Sequence, residues 1–275
     1  RNLLQLVENK TVEGWDDPRM PTISGLKRRG YTAKAITNFV LSLGVAKREA
    51  ISDFDHLEHY LREDLNIISY RTMAVLDPVK LIIENYNENE TELLEAENNP
   101  EDSSYGTRMI PFSRELFIER NDFMEDPPKK FFRLSVGKEV RLKHAYYVTC
   151  TSFKTDQTGK LTEIKCTYDP STKGGWSDDG RKVRGTIHWI STTDTINAEV
   201  RIYNRLFNVE NPELSNINPE SKQIIHNAKV ESSLQEINFN KKYQFLRLGY
   251  FTLDKDTKKD HLIFNQSVAL RSNWK

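Results

Sequence analysis

A change of hydrophobic period near residue 70 governs what this chain can fold into. Before it, apolar residues recur at helical spacing: Ile36, Phe39, Val40 and Leu43 fall at i, i+3, i+4 and i+7, and Phe54, Leu57, Tyr60 and Leu61 make the next stripe. The ends of these segments are marked too. Thr22 to Arg29 stops at Gly30, Thr32 offers a side-chain oxygen to the helix that follows, Gly44 ends that helix, and Ser52-Asp53 opens another. Even Arg1 to Val7 reads as the middle of a helix, so the chain is expected to be part of something longer. Beyond residue 70, alternating or β-branched runs recur at 71–76, 115–118, 140–150, 161–168, 183–191, 198–207, 243–252 and 262–270. Turn chemistry such as Thr158-Gly159 and Asp179-Gly180 stands between them. The fold class that follows is mainly β with an N-terminal helical subdomain: a small α-bundle, then one or two β-barrels.

Charge excludes some functions and suggests another. Forty basic and forty acidic residues cancel, which argues against indiscriminate coating of nucleic acid or membranes. The cancellation hides segregation. Glu84 to Asp102 holds eight acidic side chains and no basic one, and reads most simply as a solvated loop. Lys129 to Lys143 holds six basic side chains against Glu139 alone. In a strand Arg141 and Lys143 share one face while Val140 and Leu142 pack inward. Phe131, Phe132, Tyr146 and Tyr147 are interleaved with these cations, a combination on which unstacked RNA bases settle; the alternative is a half-buried hairpin with its basic side wet. Lys27-Arg28-Arg29 divides between helix capping and a phosphate contact, and Arg181-Lys182-Val183-Arg184 between a backbone contact and edge-strand solubility.

Other chemistry lacks its raw material. Cys150 and Cys166 form no CxxC pair, so a zinc ribbon, a thioredoxin site and a disulfide framework are unsupported, and a reducing, cytoplasmic setting is expected. No apolar run approaches the ~18 residues that span a bilayer. GxxxxGK, GxSxG and HExxH motifs do not occur. His56 and His59 lack partners for a metal set, and Asp16-Asp17-Pro18 reads as a turn and helix entry.

One stretch carries a specific likeness. Val12-Glu13-Gly14-Trp15-Asp16-Asp17-Pro18-Arg19-Met20-Pro21-Thr22-Ile23-Ser24-Gly25-Leu26-Lys27-Arg28-Arg29-Gly30-Tyr31-Thr32 closely resembles the segment after the second ATP-binding signature loop of the glutaminyl-tRNA synthetases, a class I family. Arg1 aligns with the last residue of that loop, and the likeness continues through 71–80, 137–142, 166–169, His188-Trp189 and 218–221, over essentially the whole chain. The resemblance implies a helical subdomain that contacts the tRNA stem, at 1–68. It also implies a proximal anticodon-binding barrel from 69–113 and 212–275, and a distal one from 114–211. The Rossmann catalytic domain is expected to be absent. On that view this piece is inactive alone and holds no cofactor, while ATP and Mg belong to the parent glutamine-tRNA ligase. The implied partners are tRNA(Gln) and the parent's own catalytic domain, with no membrane and a monomeric state.

The resemblance also assigns residues. Arg71 and Gln244 fall where the middle uracil of the anticodon is held, since an amide offers donor and acceptor together. Arg133 and Arg247 fall where the third base, guanine, is gripped by paired guanidinium donors. Arg141 and Lys143 fall around the first base, with Lys at 143 lacking the planar fork of Arg. Lys130 is carried among the anticodon residues although it and Phe132 depart from the family pattern. Lys47 and Lys129 are candidate tRNA backbone contacts. Rival readings are a related glutamyl-tRNA synthetase, a stand-alone RNA-binding module and a barrel for protein contacts.

Overall fold

The computed structural model describes residues 2–44, 52–207, 209 and 216–271. Four helices come first: α1 (Asn2–Glu8), α2 (Ile23–Arg29), α3 (Ala33–Leu43) and α4 (Phe54–Ile68). Their ends form as the side chains dictate. Thr22 Oγ1 accepts from Gly25 N, Thr32 Oγ1 from Ala35 N, and the Asp53 carboxylate from Asp55 N. Gly30 closes α2 at φ 100°, and a Cβ there would collide with Ser267 and Thr252, so only glycine fits.

The strands are β1 (Tyr70–Thr72), β2 (Ala74–Val75), β3 (Pro78–Ile83), β4 (Thr91–Glu97), β5 (Thr107–Ser113), β6 (Glu115–Glu119), β7 (Glu139–Leu142) and β8 (Tyr147–Thr155). They continue as β9 (Leu161–Asp169), β10 (Thr186–Ile187), β11 (Ile190–Ser191), β12 (Thr195–Tyr203), β13 (Lys222–Glu231), β14 (Tyr243–Phe245), β15 (Gly249–Leu253) and β16 (Leu262–Ala269). The chain divides into two compact units, one of residues 1–71, 199–226 and 236–275, the other of 72–198 and 227–235.

In the first unit the strands run in the order β1-β14-β15-β16-β12-β13, a half-barrel. Leu57, Leu61 and Leu65 of α4 close with Leu26, Tyr31 and Ala35 onto Tyr250 and Val268 of the sheet. The helical stripe is therefore the surface that seals one face of the strands. On the sheet itself Phe245 and Phe251 stack with centroids 4.3 Å apart, and Phe264 meets Phe245 edge-on at 5.2 Å.

The second unit contains a nearly closed barrel, strand order β10-β7-β8-β9-β3-β6-β11. Its two edges, β10 and β11, are separated in sequence only by His188 and Trp189, so the chain itself bridges the gap. Alternation fills the interior: Val79, Leu81 and Ile83 of β3 are buried while the residues between them are half-exposed. Residues 78–83, grouped by sequence with the proximal flank, are hydrogen-bonded into this barrel, because β3 pairs antiparallel with β6 and parallel with β9. Cys150 and Cys166 face each other across β8 and β9, both buried and both free thiols.

The acidic run departs from its reading as a solvated loop. Thr91–Glu97 is β4, which pairs with β5 from Thr91↔Ser113 to Glu97↔Thr107. Leu94 and Ala96 alternate inward against Ile110 and Phe112, Glu95 and Glu97 take the outer positions, and the half-buried Glu92 on the inward side accepts from the Tyr146 hydroxyl and pairs with Lys173. Charge on one face masked a strand whose other face is apolar.

Candidate nucleic-acid interface

The hairpin of β7 and β8 presents the basic face that alternation requires. Val140 and Leu142 are buried and Glu139 and Arg141 half-exposed; Arg141 N donates to Gly185 O and Lys143 N to Ile187 O, which keep the strand straight through residue 143. Arg141 does not end in a carboxylate. Its guanidinium carbon lies 5.6 Å from the centroid of Tyr147 and 5.2 Å from that of Trp176, and Nη2 donates to the Tyr147 hydroxyl at 3.4 Å. Among the described residues neither Arg141 nor Lys143 forms an ion pair, and Arg141 Nε is buried without a hydrogen-bond partner. Both line a cavity of about 480 Å³ whose walls include Glu95, Glu97, His144, Trp176 and Thr186. His144 sits there at φ 64°, and burial, then the Lys143 and Arg108 charges, push its imidazole down to about 4, so it is neutral at pH 7.

The remaining predicted cations of this unit behave differently from one another. Arg133 is exposed, pairs through Nε with the buried Asp122 at 3.4 Å, and donates to Asn121 O at 2.9 Å. Lys129 and Lys130 are exposed ahead of it. Phe132 is 48% exposed with the Arg184 guanidinium 5.3 Å from its ring, and Gly185 lets the backbone carbonyl of Phe132 approach where a Cβ would clash. Arg181 is committed to carboxylates: it bonds Glu139 at 3.1 Å and also Asp169 and Asp179. Of the Arg181–Arg184 run, then, one arginine builds the protein and the other meets an exposed ring.

In the first unit Arg71 and Gln244 come together on the neighbouring strands β1 and β14, although most of the chain separates them in sequence. Arg71 is only 5% exposed and donates to Ser69 O and Asn66 Oδ1, each at 2.8 Å. Asn66 Oδ1 also accepts from the Tyr250 hydroxyl at 3.3 Å, and Tyr250 is the register partner of Gln244. Arg71 and Tyr250 thus share Asn66 Oδ1. Arg247 is exposed in the turn after β14 at φ 69°, a conformation an arginine rarely adopts. It belongs to the first unit and Arg133 to the second. Lys47 lies outside the described residues.

In Lys27-Arg28-Arg29 the two arginines do structural work, while Lys27 is exposed. Arg28 Nε bonds the buried Asp254 at 2.9 Å and its other nitrogens reach Glu13 and Asp256, while the buried Arg29 donates to Gln266 O and Tyr203 O. Burial alone would raise the Asp254 carboxyl, but bonds from Arg28, the Asp256 amide and Asn265 hold it down at about 2. Asp17, buried at the Asp16-Asp17-Pro18 turn, accepts from Glu13 N, Arg19 N and the Arg19 guanidinium, which makes it the knot of that turn. Among the described residues no group of three or more His, Cys, Asp or Glu is placed to hold a metal ion, and no helix is long and apolar enough to cross a membrane.

Two features of the cavity escaped the sequence. Trp176 lies outside the basic stretch, and the sequence signal that marks its loop is the Gly174-Gly175 pair before it. Glu95 and Glu97 were absorbed into an acidic run, though strand alternation along 91–97 places both on one face.

Comparison with known proteins bears on the same residues. Two family models described as class I (E and Q) tRNA synthetase anticodon-binding domains match residues 69–169 and 186–254. A third, described as the catalytic domain of the same class, matches residues 1–67. Among relatives, the glutamine-tRNA ligase of Bradyrhizobium diazoefficiens is 50% identical over 278 residues, covering 100% of this chain and 50% of the relative. That of Clostridium perfringens is 51% identical over 282 residues, with coverage of 100% and 51%. That of Vibrio vulnificus is 51% identical over 280 residues, with coverage of 100% and 50%. The chain spans about half the length of the curated relatives it matches.

Proposed function

This chain belongs to the class I tRNA synthetases for glutamate and glutamine, and we propose that its two barrel-like sheets read the anticodon of tRNA(Gln). The observation that carries the reading is the pair Arg141 and Lys143, two cations on one sheet face with aromatic rings beside them and, among the described residues, no carboxylate bound. A protein stabilising itself would pair such charges; leaving them open is what an anionic, base-bearing ligand requires. Arg141 and Lys143 receive the first base, and Arg71 with Gln244 the second. Arg133 takes the third on the second unit, Arg247 is an anticodon contact of the first unit, and Lys129, Lys130 and Lys47 follow the backbone.

The helical part then meets the stem, and the longer protein, a monomer in the cytoplasm, ligates glutamine to its tRNA. ATP and Mg serve that ligation, as they do generally in this class, on the part of the relatives' length that this chain does not span. The relatives' names favour glutamine over glutamate.

Titration with anticodon stem-loops at two salt concentrations tests the reading. The CUG loop should bind best, and CUC, the glutamate anticodon, should lose affinity through its third base alone. If about six phosphates are contacted, the log-log salt slope is about −4. Arg133→Ala should cost ~1 to 3 kcal/mol for CUG and narrow the gap to CUC. Binding that ignores both salt and anticodon sequence would overturn the proposal.

A further inference from the structure

Cys150 and Cys166 are the only cysteines in the sequence, and the anticodon reading uses neither. They are register partners on β8 and β9, both buried and both free. Backbone bonding fixes what kind of partners they are. Cys150 N donates to Lys138 O at 3.2 Å and Cys150 O accepts from Gly137 N at 2.8 Å, so both polar backbone groups of Cys150 point away from β9. Cys166 O likewise turns from β8 to accept from Glu84 N at 2.8 Å. The two residues therefore form a non-hydrogen-bonded pair, the kind in which antiparallel strands bring opposite Cα atoms to about 4.5 Å and their side chains closest together. That separation lies within the ~4.4 to 6.8 Å that a disulfide spans without backbone movement.

The pair sits where the barrel wall is least regular. Cys150 lies against the turn just before β7 begins, and Cys166 lies beside Ile83, the last residue of β3. The β8–β9 register shifts between Cys150 and Ser152, a bulge that leaves the exposed Thr151 outside the ladder. On the other side Val136, bridged to Cys150, is 49% exposed. A molecule as small as a peroxide has only this turn and bulge to pass. The thiols are also unequal: the hydrogen bond between them pulls the Cys150 thiol below its ordinary value and, together with burial, pushes Cys166 well above it. Cys150 is thus the better nucleophile, and Cys166 keeps its proton.

We propose that Cys150 and Cys166 form a reversible oxidation site, at which a hydroperoxide converts the two thiols into a disulfide that staples β8 to β9. The Cys150 sulfur attacks the peroxide, its S–O bond forming as the O–O bond breaks, and the departing oxygen leaves as water with the thiol proton. The Cys166 sulfur then attacks the resulting sulfenic acid; the S–S bond forms, the S–O bond breaks, and the hydroxyl leaves as a second water with the Cys166 proton. Two thiols lose two electrons and one hydrogen peroxide becomes two waters. Because the partner thiol already faces Cys150, the sulfenic acid is trapped before it can be oxidised further and irreversibly. The site goes beyond the anticodon reading and does not depend on it.

The test exposes the full chain, folded, to hydrogen peroxide, then denatures it in a thiol-alkylating reagent and reads the intact mass and the non-reduced peptide map. The wild type should lose the mass of two hydrogens, take up no alkylating reagent, and yield one peptide pair linked through Cys150 and Cys166; dithiothreitol should restore both thiols. Oxidation should raise the urea midpoint and reduction should return it, because a disulfide that fits the folded geometry stabilises it. Cys166→Ala, which keeps a small apolar side chain in the core, should leave Cys150 as a sulfenic acid that dimedone captures and that further peroxide carries to the sulfinic acid. Cys150→Ala should leave Cys166 unlabelled at the same dose. The wild-type map decides the proposal even if both variants fail to fold. Two alkylated thiols after peroxide, added oxygen without a crosslink, linkage only between separate chains, or a urea midpoint lowered by oxidation would each overturn it.

Discussion

Arg28 in the first unit and Arg141 in the second show two uses of the same side chain. Arg28 reaches Asp254, Asp256 and Glu13, with Asp16 at 3.8 Å; every part of its guanidinium is spoken for. Arg141 is equally well held, but by rings, and its charge is left unanswered. An arginine clasped by carboxylates is neutralised and locks a fold. An arginine clasped by aromatic faces is oriented without being neutralised, which is the condition for binding an anion. The difference teaches that the holder, not the cation, marks an interface.

The largest expected effect breaks the first side of that comparison. Arg28→Ala strips the buried Asp254 of its two-point partner and leaves it Arg201 at 3.5 Å, which should cost about 3 kcal/mol, read as a lower urea midpoint. Arg141→Ala should move the midpoint by no more than about 0.5 kcal/mol and abolish CUG-loop preference at the first base. Equal destabilisation by the two would show that Arg141 is structural after all.

Arg71 sharpens the comparison because it stands between these extremes, buried like Arg28 but placed beside a predicted base contact. Arg71→Ala uncaps Ser69 O and Asn66 Oδ1 and should cost about 1 to 3 kcal/mol of stability. If it works through Gln244, it should also relax second-base discrimination, which Gln244→Ala reproduces without the stability loss. Measuring both variants with second-base stem-loops decides whether Arg71 organises or merely supports.

What could be read from the chain follows from how local each signal is. The helices were legible because Thr22, Gly30, Thr32, Gly44 and Asp53 cap within a few residues of themselves, and the cap atoms are where those residues put them. The mainly β fold with two barrel-like sheets was legible from period. The β4–β5 pair was not, because eight acids in one run outweigh two buried residues in any average. Arg181 could not be told from Arg141 by sequence: Glu139, Asp169 and Asp179 reach it from three separate places along the chain. The pairing of Arg71 with Gln244 came from likeness to a family, and strand order shows that their strands, β1 and β14, are neighbours.

A pH dependence separates the two units. Asp254, held near 2 against an unfolded value of ~3.9, contributes stability that is present above about pH 4 and lost as pH falls towards 2. His144 works in another window. Its folded value of about 4 lies below the unfolded ~6.5, so between those limits the unfolded chain takes up a proton that the folded chain refuses, and stability falls on acidification from about pH 6.5 to 4. His144→Asn, which tolerates the positive φ, should flatten that part of the profile and leave the Asp254 window untouched. Because Lys143 and Arg108 help hold the imidazole neutral, an anion seated at Lys143 should raise its pKa. Histidine titration by NMR with and without the CUG loop reads that rise; an unmoved His144 would place the RNA charge elsewhere and return Arg141 to the same class as Arg28.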